Sequence, residues 1–208
     1  MVKVKICGIH DIFEAKNAIK YGADYLGILV NIPKTNLSLS PLQAKKIIKN
    51  QKKAKFIILT IEKDPKKLVY ILKKTSPWGI QLLRPSIRNI KYLKKRTDAK
   101  IIPVIHIINK NAIKESKKYK DADFLLLDSK VGNNLGGTGK VHDWNISKKI
   151  IKQSPVPIFL AGGLNSKNVK ESIRSLNPYC VDAESLLRNK KGFRDLKKVK
   201  EFIKKVKS

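Results

Sequence analysis

Short apolar runs alternate with lysine-rich segments along the whole chain. Within the lysine-rich segments, apolar residues recur at the spacing of one helix face, as at Ile12, Ala15, Ala18 and Ile19. Strand-length runs that are each followed by a helical segment are typical of a (β/α)8 barrel. We therefore predict an α/β fold of the (β/α)8 TIM-barrel type, with a doubly wound open sheet as the alternative. The eight predicted strands cover residues 2–7, 25–30, 56–61, 78–82, 101–105, 124–128, 156–161 and 179–182.

The length of the chain limits the number of domains. No linker rich in proline, glycine or serine divides the 208 residues. A chain of this size buries roughly 70% of the surface of its unfolded state, which is enough for one substantial core. We predict a single barrel domain over residues 1–208, near the lower size limit of the fold.

The charge is strongly positive, because 46 Lys and Arg residues face 16 Asp and Glu residues, for a formal net charge of +30. A basic chain can bind a polyanion such as nucleic acid. Here the cations are spread along the polar faces of the predicted helices and do not form one block. This distribution favours a compositional bias over a nucleic-acid partner.

The sequence also bears on location. The first residues lack the apolar run of about 7–15 residues that a signal peptide needs, and no segment approaches the roughly 20 apolar residues of a membrane span. The two cysteines, Cys7 and Cys180, lie far apart and do not suggest a disulfide framework. We predict a cytoplasmic protein with free thiols and no membrane partner, acting as a monomer or a homodimer.

Chemically active residues stand at the C-terminal ends of the predicted strands. In a parallel barrel these ends meet on one face, where the active sites of this fold lie. A thiol and a carboxyl on that face suggest a base and an acid that act on one substrate. The residues at these ends are Cys7, Asn31, Gln81, His106, Asp128, Gly162, Gly163 and Asp182.

Cys7 is the candidate base. A free cysteine is most often a small buried hydrophobe, but its thiolate becomes a useful base when neighbouring groups stabilise it. Lys5 has the same strand parity as Cys7, so both side chains should point into the barrel. A buried lysine needs an anionic partner, and Asp182 on the adjacent eighth strand is the predicted one. Cys180 is predicted to be a core residue.

Asp128 is the candidate acid, because it ends a run of three leucines at a strand end. Capping of the following loop is the structural alternative for this carboxylate. A glycine-rich segment over residues 136–140 follows it, and a helix is predicted to open at Asp143.

Gly162 and Gly163 form the candidate phosphate site. They follow the seventh strand, before a helix predicted to start near Ser166, and the seventh unit is a common phosphate position of this fold. Backbone N–H groups exposed at such glycines cradle phosphate. The three histidines, His10, His106 and His142, lack metal-ligand spacing and are predicted to be solvent-exposed or structural. We predict neither a metal nor a cofactor.

Five segments, in order along the chain, resemble phosphoribosylanthranilate isomerase, a (β/α)8 enzyme family of tryptophan biosynthesis. The resemblance implies an Amadori rearrangement of N-(5′-phosphoribosyl)anthranilate to 1-(2-carboxyphenylamino)-1-deoxyribulose 5-phosphate, without a cofactor. The segments are residues 4–9 (VKICGI), 22–27 (GADYLG), 126–129 (LLDS), 136–144 (GGTGKVHDW) and 160–169 (LAGGLNSKNV).

The resemblance also implies roles for individual residues. Asp128 matches the general acid that protonates the furanose ring oxygen, and Cys7 matches the general base that removes the proton from C2′. Gly162 and Gly163 match phosphate-binding backbone, and Gln81 matches the glutamine that ends the fourth strand. The full set predicted to bind substrate or phosphate is Gly137, Gly139, Gly162, Gly163, Asp182, Ser185, Gln81, Arg84 and Lys34.

The chain departs from the family pattern in three loops. After the second strand, Leu37 falls near the position of an arginine that binds the anthranilate carboxylate, and Lys34 is the cation of that loop. After the fourth strand, Arg84 becomes a second candidate for the carboxylate. After the eighth strand, Leu186 replaces a glycine, and Glu184 adds a negative charge that Arg188 could offset.

Three functions remain open at this point. The chain is predicted to be a phosphoribosylanthranilate isomerase that binds a small phosphosugar–anthranilate substrate. A related phosphosugar isomerase with an altered substrate, or a basic protein that binds nucleic acid, are the alternatives.

Overall fold

A computed structural model of the chain describes residues 1–51, 53–129 and 142–208. The described residues form eight parallel strands that close into a barrel in sequence order, with β1 paired to both β2 and β8. The prediction of a TIM barrel is confirmed, and each predicted strand is present with ends shifted by at most two residues. The strands are β1 (Lys3–Ile6), β2 (Tyr25–Leu29), β3 (Lys55–Thr60), β4 (Gly79–Leu82), β5 (Lys100–Ile107), β6 (Leu125–Ser129), β7 (Ile158–Leu160) and β8 (Cys180–Ala183).

A helix follows each strand. Several helices begin where a side-chain oxygen accepts a hydrogen bond from a first-turn N–H group, as at Asp11, Ser40 and Asp143. Short 3-10 helices cover Lys117–Tyr119 and Ser185–Leu187. The α-helices are α1 (Ile12–Lys20), α2 (Pro41–Lys49), α3 (Pro65–Thr75), α4 (Ile87–Lys94), α5 (Asn111–Ser116), α6 (Trp144–Gln153), α7 (Val169–Leu176) and α8 (Leu196–Lys207).

Two details differ from the sequence-based expectation. Helix α7 begins at Val169 and not near Ser166, because the Asn168 side chain binds the preceding loop: it accepts from Asn165 N–H at 2.9 Å and donates to the Gly163 carbonyl at 2.9 Å. On α1, Ile12 is exposed, and the buried face is formed by Glu14, Ala15 and Ala18.

The interior is packed in two layers. The larger layer lies between the sheet and the helices, and a smaller one fills the barrel itself. At the N-terminal ends of the strands, five aromatic side chains pack with ring centroids about 5 to 6.5 Å apart and plug the barrel: Tyr25, Trp78, Phe124, Phe159 and Tyr179. This plug leaves the opposite, C-terminal end as the side on which a cavity opens.

Across the described ranges, none of the helices combines the length and the apolar character that crossing a membrane would require.

Candidate active site

A cavity of about 500 Å³ opens at the C-terminal ends of the strands. A volume of this size accommodates a small ligand. Most residues that the sequence predicted for the site line this one cavity: Cys7, Lys34, Gln81, Arg84, Asp128, Gly162, Gly163, Asp182 and Ser185. Gly137 and Gly139 lie outside the described residues.

Cys7 lies at the end of β1 and is only 7% exposed. Its backbone N–H donates to the Ala183 carbonyl of β8 at 3.0 Å. The side chain occupies space that Gly27 of β2 leaves open, since a Cβ atom at residue 27 would lie 2.9 Å from the Cys7 Sγ atom. The glycine of the neighbouring strand therefore determines where the thiol fits.

Burial raises the pKa of the Cys7 thiol to about 12. The positive charge of Lys5 acts in the opposite direction, as the sequence suggested, but it does not outweigh the loss of solvent around the thiolate. In the free protein, burial thus outweighs the stabilisation of the thiolate by Lys5, and a pKa of about 12 keeps Cys7 mainly as a neutral thiol at physiological pH.

Lys5 is fully buried inside the barrel, as predicted from its strand parity. Its Nζ atom lies 2.6 Å from Asp182 Oδ2 and 2.8 Å from Gln81 Oε1. Burial alone would lower the pKa of Lys5, but the charge of Asp182, its hydrogen bond to Lys5 and the neighbouring Cys7 and Cys180 together outweigh burial, and the pKa lies above its ordinary value. The predicted partnership of Lys5 and Asp182 is confirmed, and Gln81 joins it.

Asp128 lies on β6, three strands away from β1 around the barrel. Its Oδ1 atom accepts a hydrogen bond from Ser129 N–H at 2.8 Å. Burial, together with repulsion from Asp182, nevertheless raises the pKa of Asp128 to about 7. A carboxyl group with this pKa holds its proton for part of the time at neutral pH and can donate it.

The loop after β7 carries Gly162 and Gly163, which both have positive φ, +92° and +66°. A Cβ atom at residue 162 would collide with the Oγ atom of Ser129, so only glycine fits there. Ser129 is itself held, because its Oγ atom lies 3.1 Å from His142 Nδ1 and His142 Nε2 lies 2.6 Å from Ser147 Oγ. His142 thus has the structural role that was one of its two predicted roles.

Two cations, Lys34 and Arg84, stand exposed on the rim of the cavity near the ends of β2 and β4. Apolar side chains, including Leu37 and Leu83, line the same part of the cavity. This side of the site therefore combines an apolar wall with positive charge.

The sequence indicated that Arg188 could offset Glu184, and the two pair at 2.7 Å. It missed the buried ion pair behind Cys7, in which the Arg194 side chain, 3% exposed, places its Nε atom 3.5 Å from Glu14 Oε2. One signal was available, because Glu14 lies on the face of α1 that carries Ala18, and a carboxylate on an apolar face needs a buried cation.

One group of side chains in the described ranges has the composition of a metal site. Donor atoms of His10, Asp11 and Glu14 lie within 4.8 Å of one another. Glu14 is, however, already engaged by Arg194 at 3.5 Å and by Arg188 at 3.9 Å. The group therefore forms part of an ion-pair network.

The fold and the cavity define a (β/α)8-barrel enzyme with a thiol and a protonatable carboxyl on opposite walls of one site. Comparison with known proteins identifies the family. The family model for N-(5′-phosphoribosyl)anthranilate (PRA) isomerase matches residues 4–205. The chain belongs to the N-(5′-phosphoribosyl)anthranilate isomerase family.

Individual relatives agree along the whole chain. The N-(5′-phosphoribosyl)anthranilate isomerase of Aquifex aeolicus is 36% identical, with full coverage of both chains. That of Methanosarcina acetivorans is 31% identical over 98% of this chain and 92% of its own. The crystal structure of the Thermotoga maritima enzyme superposes with a TM-score of 0.89 at 27% identity, covering 100% of this chain and 99% of that one.

A further solved structure holds a ligand. It is a phosphoribosyl anthranilate isomerase in complex with reduced 1-(o-carboxyphenylamino)-1-deoxyribulose 5-phosphate, with a TM-score of 0.86 and 25% identity over 100% of this chain and 99% of that one. The predicted family, barrel fold and isomerase function in tryptophan biosynthesis are confirmed.

The buried pair of Lys5 and Asp182 gives a test of the site's architecture. We expect Lys5→Met to lower the free energy of unfolding by about 3–5 kcal/mol, because it leaves the Asp182 carboxylate buried without a counter-charge. Urea denaturation measures the change. Lys16→Met, at an exposed position of α1, is the control and should change stability by no more than about 0.5 kcal/mol. Equal stabilities of the two variants would contradict the buried ion pair.

Proposed function

We propose that Cys7 and Asp128 carry the isomerisation of N-(5′-phosphoribosyl)anthranilate as general base and general acid. The supporting observation is their placement, Cys7 directly after β1 and Asp128 on β6, from which both line the same cavity. An acid and a base that act on different atoms of a small sugar have to approach it from different sides.

The first step needs a proton donor. Asp128 donates its proton to the furanose ring oxygen, and the bond between C1′ and that oxygen breaks. The lone pair of the anthranilate nitrogen forms the C1′=N bond, which gives a protonated Schiff base. The raised pKa of Asp128 supports this role, because a carboxyl of ordinary pKa would hold almost no proton at pH 7.

The second step needs a base. Cys7 takes the proton from C2′, and the electrons of the C2′–H bond form C1′=C2′ while the C1′=N electrons return to nitrogen. The resulting enolamine then tautomerises to the ketone. Since Cys7 is a neutral thiol in the free protein, the positive charge of the Schiff base and of Lys5 has to favour its thiolate during turnover.

The substrate phosphate is proposed to bind at Gly162, Gly163 and Ser185, beside the 3-10 helix Ser185–Leu187. Backbone N–H groups at a glycine turn and at a helix start both favour an anion. Glu184 also lines this part of the cavity, but its carboxylate is paired with Arg188. The binding roles of Gly137 and Gly139 stay predictions.

The anthranilate ring is proposed to lie against Leu37 and Leu83, with its carboxylate toward Lys34 or Arg84. The floor of the site offers a further polar group. Asp182 Oδ1 is buried and has no hydrogen-bond partner among the residues that the structure describes, so it is available to a sugar hydroxyl.

The alternatives are weaker. Family membership along residues 4–205 favours the anthranilate substrate over a shifted phosphosugar. The absence of nucleic-acid binding, a cytoplasmic location and a monomeric or homodimeric state stay predictions from the sequence.

Replacement of the two groups tests their roles. We expect Cys7→Ala and Asp128→Asn each to lower kcat by at least ~10²-fold, the usual contribution of a positioned acid or base. Turnover is followed by the loss of substrate fluorescence. Cys180→Ala, which removes a thiol from the barrel interior away from the cavity lining, is the control for Cys7. Turnover near the wild-type rate in either site variant would reject that residue's role.

The pH profile follows from the two pKa values. The productive state has Asp128 protonated and Cys7 ionised, although the acid has the lower pKa, about 7 against about 12. The population of that state rises tenfold per pH unit below pH 7 and is constant between pH 7 and about pH 12. We expect kcat/KM to rise up to about pH 7 and then to level off.

An independent measurement distinguishes this pH profile from the one expected if Cys7 were already ionised at pH 7. Alkylation of Cys7 by iodoacetamide should keep accelerating with pH beyond 9, because the thiolate is the nucleophile. A thiol that is fully reactive at pH 7, together with a kcat/KM that falls above pH 7, would show that Cys7 is ionised in the free enzyme.

The KM values of two variants show which of the two rim cations, Arg84 or Lys34, binds the substrate carboxylate. We expect Arg84→Ala to raise KM more than Lys34→Ala does, because a guanidinium can hold a carboxylate with two hydrogen bonds. A charge-assisted hydrogen bond contributes about 1.5–3 kcal/mol, which corresponds to roughly 10- to 100-fold. Arg88→Ala, on the exposed surface of α4, is the matched control. If neither rim variant changes KM, the carboxylate binds elsewhere.

A further inference from the structure

Two arginines on the segment after β8 hold the backbone that carries Cys7. Arg194 Nη2 lies 2.5 Å from the Cys7 carbonyl oxygen, and Arg188 Nη2 lies 2.7 Å from that of Gly8. Two consecutive carbonyl groups at the end of β1 are thus bound by guanidinium groups from almost the other end of the sequence.

The two arginines are placed by the segment between them. Arg188 and Arg194 face each other across an antiparallel β-bridge, and Asn189 N–H donates to the Phe193 carbonyl at 2.8 Å. Arg188 Nη1 also donates to the Gly192 carbonyl at 3.0 Å. We call this segment, residues 188–194, the arginine hairpin.

The arginine hairpin is anchored from behind by α1. The carboxylate of Glu14, 4% exposed, lies 3.5 Å from Arg194 Nε and 3.9 Å from Arg188 Nη1. Both guanidinium groups are almost buried, with 9% of the Arg188 side chain and 3% of the Arg194 side chain exposed. Two buried cations with this many partners cost desolvation energy that surface arginines do not, which suggests a function beyond solubility.

Each arginine has a second contact on the wall of the cavity. Arg188 Nε donates to Glu184 Oε1 at 2.7 Å, and Arg194 Nη1 donates to the Glu184 carbonyl at 3.3 Å. Glu184 lines the cavity beside Ser185. The arginine hairpin therefore connects the end of β1, which carries the thiol, with the end of β8, where the phosphate is proposed to bind.

We propose that Arg194 and Arg188 are positioning residues with separate tasks. Arg194 fixes the peptide of Cys7 so that the thiol meets the substrate C2′ atom, and Arg188 holds the Glu184 carboxylate away from the substrate phosphate. This inference rests on the proposed role of Cys7 as the base.

The two tasks predict different kinetic changes. Arg194→Met should lower kcat by roughly 10- to 100-fold with KM within about twofold of the wild type, because a displaced base loses rate while the phosphate contacts remain. Arg188→Met should instead raise KM by on the order of 10-fold, because it frees a carboxylate beside the bound phosphate.

A double variant tests the second task. Adding Glu184→Gln to Arg188→Met removes the freed charge and should return KM to near the wild-type value. The same addition to Arg194→Met should leave kcat low. Arg174→Met, at an exposed position of α7, is the control for loss of an arginine as such.

A measurement without turnover tests the first task. The rate of Cys7 alkylation by iodoacetamide at pH 9, followed by mass analysis of the modified peptide, should fall in Arg194→Met, because a cation close to the thiol is lost. Arg194→Lys keeps the charge but reaches fewer acceptors, so alkylation should recover while kcat stays below the wild-type value. This variant also serves if Arg194→Met fails to fold.

The outcomes separate the inference from the proposed function. If Cys7→Ala abolishes turnover but Arg194→Met and Arg194→Lys keep wild-type kcat per folded molecule, the positioning role is wrong and the base is right. If Cys7→Ala remains active, the proposed base itself is wrong. A KM increase in Arg188→Met that Glu184→Gln does not reverse would overturn the task given to Arg188.

Discussion

The ion pair between Lys5 and Asp182 is the interaction on which the site depends. It joins β1 to β8, the pair of strands that closes the barrel, through a 2.6 Å contact between side chains that are 0% and 6% exposed. An unpaired charge there would cost several kcal/mol, so each partner requires the other. Gln81 of β4 joins the pair from across the barrel at 2.8 Å and fixes its position.

This pair also influences the protonation of Cys7 and Asp128, on which burial has the largest effect. The Asp182 carboxylate adds to burial in raising the pKa of both Cys7 and Asp128, while Lys5 acts against both increases. The free protein therefore holds a neutral thiol and a carboxyl that is half protonated near pH 7. In the proposed mechanism, the substrate develops positive charge and thereby lowers the cost of ionising the thiol, which would make the site complementary to an intermediate more than to the resting substrate.

The proposed binding part of the site uses few fixed side chains. The proposed phosphate contacts at Gly162 and Gly163 depend on backbone conformation, and the close approach of Ser129 to Gly162 leaves no room for a side chain there. The altered loop after β8 brings in Glu184, and Arg188 neutralises it within the same loop. On the opposite rim, the exposed cations Lys34 and Arg84 lie beside leucines and are proposed to take the place of the family's loop arginine. The proposed acid, Asp128, stands on β6, and the proposed base, Cys7, directly follows β1, so a change of position at either residue would disturb the barrel itself.

The sequence by itself determined the order of strands and helices, because the two hydrophobic periods, 2 and 3.6, are local properties of the chain. It also determined which face would carry Cys7, Lys5 and Asp128, since strand parity and the parallel barrel fix that face. The local pattern predicted the start of α7 incorrectly, because the Asn168 side chain binds the preceding loop. The helix therefore begins at Val169.

Only the tertiary structure decided the energetics and the long-range contacts of the site. Burial depends on what every other segment covers, so the pKa of Cys7 could not be predicted from Lys5 alone. The contact between Arg194 and the Cys7 carbonyl spans 187 positions of sequence, and no periodicity encodes such a distance. The local sequence pattern determines whether a segment forms a strand or a helix. The burial of ionisable side chains and their ion pairs involve several segments at once, so they exist only when the barrel has closed.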